Sequence, residues 1–450
     1  MAASSPQAGS ASTNKFAETF KSTRVTSIGC LGGGHVGVST IAVLAKKCPD
    51  IKFTIFDDNP AVVCACQAGP LPFYEPGLDE LVSELRNKNL FFSPSVQQTV
   101  RDAQVVFVCI NTPVKSSGVG AGSAADLSGW ESMARRIAEN AGSDPKIVVE
   151  CSTMPVQTAE TMRKVFDAVG HAKYEVLCFP SFYRGGSALK YLQQPQKVLL
   201  GSNDTVSGLV AYETFRDILS PWIAKEKIVH SNLWSAELAK LSQNAMVAQR
   251  ISSANAVSAL CEKTGADLDE VMKVVGSDSR ISDGYLSACP SMGGATLLQN
   301  LAMLIYVCDS LQLHEVADYW RKVLKMNEYQ RTRFSDNIVN TMVNVKGKKI
   351  CVLGFAYKPD TSDTRESPAI SVCQAILSEG AKVAIYDPQV SMEQVTKVLG
   401  EHNPLTVTCC TSAEEAIKDS HAVVLVTAWP EFQNLDMNKV APTRALLLVA

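Results

Sequence analysis

Val25-Thr-Ser-Ile-Gly-Cys-Leu-Gly-Gly-Gly-His-Val-Gly37 is the stretch that decides the fold of this chain. A short apolar run ends at Leu31, and Gly32, Gly34 and Gly37 follow with G-x-G-x-x-G spacing before a helix-compatible segment. In such a stretch the first glycine permits a tight strand-to-helix turn and the second lets the backbone approach a pyrophosphate. The third lets the helix pack closely on the strand, so the stretch predicts a dinucleotide site.

A second apolar run, residues 51–56, ends in Asp57, about twenty residues after Gly37, where a ribose-binding acid is required. A carboxylate there accepts hydrogen bonds from ribose hydroxyls and repels a 2′-phosphate, which predicts NAD rather than NADP. The alternative is a glycine-rich turn that binds nothing. We prefer the NAD interpretation because strand, helix and acid occur in the required order.

Composition places the chain among ordinary globular proteins. Its 450 residues exceed what one hydrophobic core usually organises, and they are 46% hydrophobic and 19% charged, with a net charge of −3. This balance predicts neither a nucleic-acid nor a membrane partner, and no apolar run is long enough for a transmembrane helix. The 14 cysteines lack metal-binding spacing, so we expect no metal, reduced thiols and a cytoplasmic location.

The first 23 residues are rich in Ala and Ser and predict a disordered tail. A transit peptide is the alternative, and Glu18 together with the absence of early arginines argues against it.

Strand-like and helix-like segments then alternate, which is typical of a parallel, doubly wound sheet. Strands are predicted in the first half at residues 25–31, 52–56, 105–110, 147–151, 176–179 and 198–200. Two polar loops follow such strands, Ile110-Asn-Thr-Pro113 and Cys151-Ser-Thr-Met-Pro155. Ligands of these sheets bind at the carboxyl ends of strands, so both loops are expected to face the cofactor. The alternative is that their polar residues only cap turns.

Residues 232–264 contain neither Gly nor Pro and predict one long helix, with Asn232 or Ser235 as its cap and Gly265 as its stop. Lys240 and Asn244 lie four residues apart on this helix and therefore share a face. From spacing alone, a solvated lysine beside a polar neighbour is the simpler interpretation.

Strand-helix alternation restarts near Lys348, with strands predicted at residues 350–353, 383–386, 405–409, 422–427 and 445–449. The predicted fold is therefore α/β, with two Rossmann-like doubly wound parallel-sheet domains joined by a long central helix in a helical domain. We place the tail at residues 1–23, the NAD-binding domain at 24–230, the helical domain at 231–342 and the second sheet domain at 343–450.

Several stretches together resemble the UDP-glucose 6-dehydrogenases, within the UDP-glucose/GDP-mannose dehydrogenases. The stretches that carry the resemblance are Gly32-Gly-Gly-His-Val-Gly37, Leu71-Pro-Phe-Tyr-Glu-Pro-Gly-Leu78, Ile110-Asn-Thr-Pro-Val-Lys115, Ala124-Ala-Asp-Leu127, Ser152-Thr-Met-Pro155, Glu237-Leu-Ala-Lys-Leu-Ser-Gln-Asn244, Gln249-Arg-Ile-Ser-Ser253, Gly354-Phe-Ala-Tyr-Lys358 and Asp363-Thr-Arg-Glu-Ser367. Their occurrence in the family's order is far more specific than the glycine turn alone.

The resemblance implies an NAD-binding domain, a central helical domain that dimerises and a C-terminal domain that binds a UDP-sugar, with UDP-glucose as substrate. Such enzymes oxidise the sugar C6 alcohol twice, passing two hydrides to two NAD⁺. Between these steps a cysteine thiolate adds to the aldehyde, and water finally hydrolyses the thioester.

The resemblance also assigns roles to individual residues of this chain. Lys240 and Asn244 would act at the C6 oxygen, and Thr153 would order the catalytic water. The implied cofactor-binding residues are Gly32, Gly34, Gly37, Asp57, Asn111, Thr112 and Thr153. The implied substrate-binding residues are Lys240, Asn244, Arg280, Tyr285, Gly293, Tyr357 and Lys358.

The chain departs from the family's pattern where the chemistry occurs. The nucleophile loop G-F-G-G-S-C-F-x-K-D is here Ser291-Met-Gly-Gly-Ala-Thr-Leu-Leu-Gln-Asn300, so the cysteine position is Thr296. The substrate loop N-P-E-F-L-x-E-G is here Phe179-Pro-Ser-Phe-Tyr-Arg-Gly-Gly186, so Ser181 and Gly185 replace two acids. A basic residue of the cofactor loop is replaced by Val62, and the family's late arginine would fall beyond Ala450, as in a domain truncated at its end.

These departures predict that oxidation of UDP-glucose to UDP-glucuronate is impaired or lost. A threonine hydroxyl is a far weaker nucleophile than a thiolate unless a base activates it. Cys289 is a candidate substitute, but an ordinary buried or loop thiol is the simpler interpretation. The alternative function is an inactive NAD- and UDP-sugar-binding subunit. The expected assembly is a homo-oligomer, a dimer or a hexamer of dimers, or a hetero-oligomer with an active paralogue.

Overall fold

The computed structural model describes residues 11–169, 173–400, 406–435 and 446–449. Its contacts divide the chain into two compact units, Met1–Leu241 and Ser242–Ala450. Each unit contains a sheet whose strands alternate with helices, as the sequence predicts.

The N-terminal unit is built on an eight-stranded sheet with the order β3-β2-β1-β4-β5-β6-β7-β8. Its strands are β1 Ser27–Leu31, β2 Lys52–Phe56, β3 Leu90–Ser93, β4 Val105–Val108, β5 Lys146–Glu150, β6 Tyr174–Cys178, β7 Val198–Ser202 and β8 Ile228–Asn232. Every pairing is parallel, as predicted for a doubly wound sheet, except that of β6 with β7, which is antiparallel.

Nine helices precede or follow these strands within the described part of this unit. They are α1 Ala11–Ser22, α2 His35–Lys47, α3 Pro60–Ala68, α4 Leu78–Leu85, α5 Val96–Asp102, α6 Ser128–Asn140, α7 Thr158–Val169, α8 Ala188–Gln193 and α9 Val206–Leu219. Hydrophobic clusters cover both faces of the sheet: Phe53 and Phe107 lie in one cluster, and Val106 and Val148 lie in the other.

The predicted strands of this half are confirmed with small shifts of their ends, whereas β3 and β8 are missed. Leu90-Phe-Phe is too short an apolar run to stand out, and β8 carries His230, Ser231 and Asn232. Val229 and His230 are exposed, so β8 has no apolar signal that separates it from a loop.

The long helix α10 runs over Leu233–Thr264 and confirms the predicted limits. Asn232 Oδ1 accepts a hydrogen bond from the Ser235 amide at 2.8 Å, so Asn232 acts as the cap. Gly265 follows the helix with a φ of +77°, a conformation that favours glycine at a helix end.

The C-terminal unit contains a parallel five-stranded sheet with the order β11-β10-β9-β12-β13. Its helices are α11 Leu268–Ser277, α12 Ala295–Ser310, α13 His314–Thr341, α14 Pro368–Ser378, α15 Met392–Leu399 and α16 Ala413–Ile417. Its strands are β9 Lys349–Leu353, β10 Lys382–Tyr386, β11 Val407–Cys409, β12 Ala422–Leu425 and β13 Leu446–Val449. All five strands are among those predicted.

The expected disorder of residues 1–23 is wrong for Ala11–Ser22, which form α1. Phe16 and Phe20 lie one helical turn apart, their rings are 4.9 Å apart, and they are only 1% and 6% exposed. Both belong to the hydrophobic cluster that contains Phe215 and Leu219 of α9. Two aromatic residues on one helical face therefore order a segment of otherwise polar composition, while residues 1–10 lie outside the described residues.

Within the described residues, no helix combines the length and the apolar character needed to cross a bilayer.

We expect Phe20→Ala to lower the free energy of unfolding by about 3 kcal/mol, because it removes a buried ring from the core of the N-terminal unit. Urea unfolding would measure the loss, with Lys21→Ala, an exposed position of the same helix, as the matched control. Equal unfolding midpoints for both variants and the unmodified protein would mean that α1 does not pack on this core.

Candidate active site

The glycine-rich turn between β1 and α2 allows backbone contacts that no side chain permits. Gly32 has a φ of +118°, and a Cβ there would lie 2.2 Å from Cys109 O. A Cβ on Gly37 would lie 2.0 Å from Gly32 O, so both positions require glycine. At Gly34 a Cβ would meet no atom within 4 Å, and Gly34 caps α2 without a side-chain acceptor. Open space therefore lies beside the N-terminus of a helix, as a bound pyrophosphate requires.

Asp57 lies directly after β2 and points to this turn. Its Oδ2 accepts a hydrogen bond from the Gly33 amide at 2.8 Å, and its Oδ1 accepts one from the Asn59 amide at 2.8 Å. A carboxylate has about four acceptor sites, so two remain for ribose hydroxyls. The residues present therefore fit an NAD-type dinucleotide.

The two polar loops predicted to face the cofactor contact each other at the ends of the neighbouring strands β4 and β5. Ser152 Oγ accepts from the Ile110 amide at 3.2 Å, and Thr112 Oγ1 donates to Thr153 O at 2.8 Å. Asn111 is exposed. The structure thus brings Thr112 and Thr153 together, and their contacts with a cofactor remain predictions.

A buried carboxylate that the sequence reasoning missed ties the glycine turn to the substrate loop. Glu75, 2% exposed, accepts hydrogen bonds from the amides of Gly186 at 2.5 Å and Ala188 at 2.7 Å. Its Oε2 also lies 2.7 Å from His35 Nε2. Burial raises the pKa of Glu75, but the hydrogen bonds from His35 and the two amides outweigh it, so the pKa is lowered. Its position within Leu71–Leu78, a stretch that carries the family resemblance, was the only sequence feature that could have singled out Glu75.

Tyr183 makes a second link between the same two segments. Its hydroxyl lies 2.9 Å from Thr40 Oγ1 and donates to Val36 O at 3.1 Å, both on α2. The family's pattern has leucine at this position, which has no hydroxyl. The replaced loop is therefore anchored to the cofactor-binding helix by contacts of its own.

The first turns of α10 carry two buried charged residues. Glu237, 3% exposed, accepts hydrogen bonds from the Gln157 amide at 2.7 Å and the Ala159 amide at 2.8 Å. It thereby caps α7, and burial raises its pKa to about 7. This anchor holds α10 beside the loop that follows β5.

Lys240 follows Glu237 by one helical turn and is 6% exposed. Burial lowers its pKa to about 8, and its Nζ lies 5.5 Å from the centre of the Phe182 ring in the substrate loop. The solvated lysine considered from spacing alone is therefore wrong. Asn244, one turn further along α10, is 8% exposed, so both predicted catalytic residues of this helix are buried.

In the C-terminal unit, predicted substrate residues meet around Tyr357. A Cβ on Gly293 would lie 3.0 Å from Tyr357 Cβ. Gly294 packs against the aromatic ring of Tyr357. The Lys358 ammonium donates to Pro359 O at 2.9 Å and lies 5.8 Å from the Tyr357 ring centre.

The other two predicted substrate residues of this unit are exposed. The guanidinium of Arg280 pairs with Asp278 at 2.6 Å, with the Arg280 side chain 86% exposed. Tyr285 is 38% exposed and has a φ of +63°, which is uncommon for a residue other than glycine.

Thr296 lies in the first turn of α12 and is exposed. Gly294 caps this helix with a φ of +84° and no side-chain acceptor. Of the two positions that replace Lys and Asp, Gln299 is half-buried and Asn300 is 2% exposed, with its Nδ2 lacking a partner among the described residues.

Cys289 is a structural thiol. Asn255 Nδ2 donates to its Sγ at 3.7 Å, Asn255 Oδ1 accepts from its amide at 3.0 Å, and Gln330 Nε2 donates to its carbonyl at 2.7 Å. Burial raises the pKa of Cys289. A protonated and tethered thiol is a poor nucleophile, which favours the simpler interpretation. No group of three or more His, Cys, Asp or Glu in the described part of the chain is arranged to hold a metal ion.

Three family models match successive parts of the chain. Residues 26–223 match the NAD binding domain of the UDP-glucose/GDP-mannose dehydrogenase family, residues 234–329 its central domain and residues 351–448 its UDP binding domain. The first match identifies NAD as the cofactor of the glycine turn, and the last supports a UDP-sugar ligand.

Similar proteins extend the match over most of the chain. UDP-glucose 6-dehydrogenase 2 of Arabidopsis thaliana is 46% identical over 91% of this chain and 89% of its own length. UDP-glucose 6-dehydrogenase 1 of Oryza sativa subsp. japonica has the same identity and coverage. A UDP-glucose dehydrogenase structure from Pyrobaculum islandicum, 28% identical, superposes with a TM-score of 0.85 and covers 95% of both chains. The chain therefore belongs to the UDP-glucose/GDP-mannose dehydrogenase family.

Proposed function

We propose that this protein binds NAD(H) and a UDP-sugar but oxidises UDP-glucose to UDP-glucuronate poorly or not at all. The observation that carries the proposal is Thr296, which stands where the family has its nucleophilic cysteine. The retained glycine turn, Asp57 and the UDP binding domain support ligand binding.

Two residues for the first oxidation, Lys240 and Asn244, are retained. Bound NAD⁺ would accept the hydride, and the chain must hold the C6 oxygen and receive its proton. Lys240 suits this role because burial lowers its pKa to about 8, so about a tenth of it is neutral at pH 7 and more at higher pH. Asn244 on the next turn of α10 would orient the same oxygen.

The second oxidation lacks its nucleophile. A thiol titrates near 8.5, whereas a threonine hydroxyl needs an adjacent base to become nucleophilic. Residues 291–300 contain no histidine. Cys289 supports no substitution either, because Asn255 and Gln330 tether it and its pKa is raised.

Hydrolysis of a thioester would also lack the family's acids, because Ser181 and Gly185 replace them. The loop itself remains anchored through Glu75 and Tyr183. A loop that keeps its anchors and loses its acids supports retained binding with lost turnover. One consistent role is that of a regulatory partner of an active paralogue, in a dimer or larger assembly. A single oxidation that stops at the aldehyde is the other.

We expect the unmodified protein to bind NADH without forming two NADH per UDP-glucose, and Thr296→Cys to raise NADH formation measurably. Losing the nucleophile alone costs a hydrolase roughly a millionfold in turnover. Restoring a thiol at position 296 is therefore expected to raise turnover more than any other single substitution. NADH absorbance and product analysis by mass spectrometry would measure both reactions.

Thr296→Ser is the matched control, because it retains a hydroxyl and should give no gain. UDP-glucuronate formed by the unmodified protein at two NADH per sugar would refute the proposed impairment. No gain in Thr296→Cys despite UDP-glucose binding would assign the loss to Ser181, Gln299 and Asn300 as well.

We expect Glu75→Gln to weaken UDP-sugar binding about tenfold, because the substrate loop loses a charged acceptor of two of its amides, a hydrogen-bonding loss of roughly 1–3 kcal/mol. Isothermal titration with UDP-glucose would measure the change. Glu80→Gln, at an exposed position of the following helix, should leave affinity unchanged. Unaltered affinity in Glu75→Gln would show that this anchor does not shape the sugar site.

A further inference from the structure

Three cysteines occupy the carboxyl ends of the central strands of the N-terminal sheet, beside the cofactor turn. Cys30 lies in β1, and Cys109 and Cys151 follow β4 and β5 by one residue each. All three belong to one hydrophobic cluster, on the face that carries Phe107 and Val149. They are 0%, 7% and 2% exposed.

Cys109 and Cys151 are neighbours across two parallel strands. Val108 pairs with Glu150 in the register of β4 and β5, and the Cys151 amide donates to Val108 O at 3.0 Å. Adjacent strands lie about 4.8 Å apart. A disulfide joins Cα atoms roughly 4.4–6.8 Å apart, most often about 5.5–6 Å, so this pair can be bridged with a small widening of the two strand ends.

The thiols contact one another. Cys109 shares hydrogen bonds with the thiols of Cys151 and Cys30, and these bonds lower the pKa of Cys109. Burial raises the pKa of Cys151 and of Cys30. The sulfur atoms are therefore placed to form a disulfide once one of them is oxidised.

A small cavity reaches one member of this cluster, Cys151, which lines one wall of this cavity. Phe179, Ser181 and Tyr183 of the substrate loop line another part, and the exposed Lys197 lies at its side.

We propose that Cys109 and Cys151 are a redox modification site, which a hydroperoxide converts to a disulfide that weakens NAD binding. The proposal rests on the assignment of NAD to the adjacent glycine turn.

The chemistry balances with the peroxide as sole oxidant. One cysteine of the pair gives up its proton and attacks one peroxide oxygen, the O–O bond breaks, and the departing hydroxide takes that proton and leaves as water, which produces a sulfenic acid. The sulfur of the other cysteine then attacks the sulfenic sulfur, the S–O bond breaks, and the hydroxide takes the second thiol proton and leaves as water. Two thiols lose two protons and two electrons, and one hydrogen peroxide becomes two waters.

The disulfide acts on NAD binding through the loops that follow each cysteine. Ile110 and Thr112 follow Cys109, and Ser152 and Thr153 follow Cys151. Their mutual hydrogen bonds at 3.2 and 2.8 Å depend on the present spacing of the two strand ends. Cys109 O packs so closely on Gly32 that a Cβ there would lie only 2.2 Å from it. Movement at Cys109 therefore displaces the glycine turn directly.

To test the proposal, the full chain is treated with hydrogen peroxide. It carries Cys64→Ser, because Cys64 is an exposed thiol that would otherwise react with the peroxide. We expect a peptide cross-linked through Cys109 and Cys151, a mass loss of two hydrogens, and an NADH dissociation constant raised at least tenfold. Dithiothreitol should reverse all three changes. Adding Cys151→Ser should abolish them, whereas adding Cys178→Ser, a buried cysteine of the next strand, should not.

Absence of the cross-linked peptide in peroxide-treated protein would overturn the modification site, whichever variants fold. A cross-link with unchanged NADH affinity would overturn its effect on the cofactor. If the reduced protein binds no NADH, the cofactor assignment fails, while peptide mapping still decides whether the disulfide forms.

Discussion

The N-terminal unit depends on the close approach of two backbone segments at the glycine turn. The Gly37 Cα lies against the Gly32 carbonyl, and Gly32 lies against the Cys109 carbonyl, with no room for a methyl group at either place. These contacts set α2 on β1 and place β1 against the end of β4. The cofactor turn, the polar loops and the cysteine cluster are all arranged around them.

Buried carboxylates extend this arrangement outward from the turn. Glu75 joins His35 to the substrate loop, and Glu237 joins α10 to the start of α7. Each uses charge-assisted hydrogen bonds to backbone amides, which are stronger and more directional than apolar contacts. The positions of the substrate loop and of Lys240 are thus determined by acids that take no part in the proposed chemistry.

Periodicity and motif order predicted most of the strands, the limits of α10 and the glycine turn, because these features depend on local sequence. The antiparallel pairing of β6 with β7 and the polar strand β8 depend on partners distant in sequence, which no local pattern reports. The helix at Ala11–Ser22 was missed because only two buried phenylalanines order this otherwise polar segment. Lys240 was ambiguous from spacing because only the fold reveals that it is buried beside Phe182. Glu75 and Glu237 were visible within motifs, but their bonds to amides more than seventy residues away were not.

The polar character of β8 has a consequence for solubility. In the described sheet β8 pairs only with β7, so its other side is an open edge with unpaired peptide groups. Such edges recruit strands of other molecules when they are long and apolar. Here the edge is five residues long and ends in His230, Ser231 and Asn232, which disfavour a dry intermolecular ladder. The features that hid this strand from pattern recognition therefore also protect the protein from edge-to-edge aggregation.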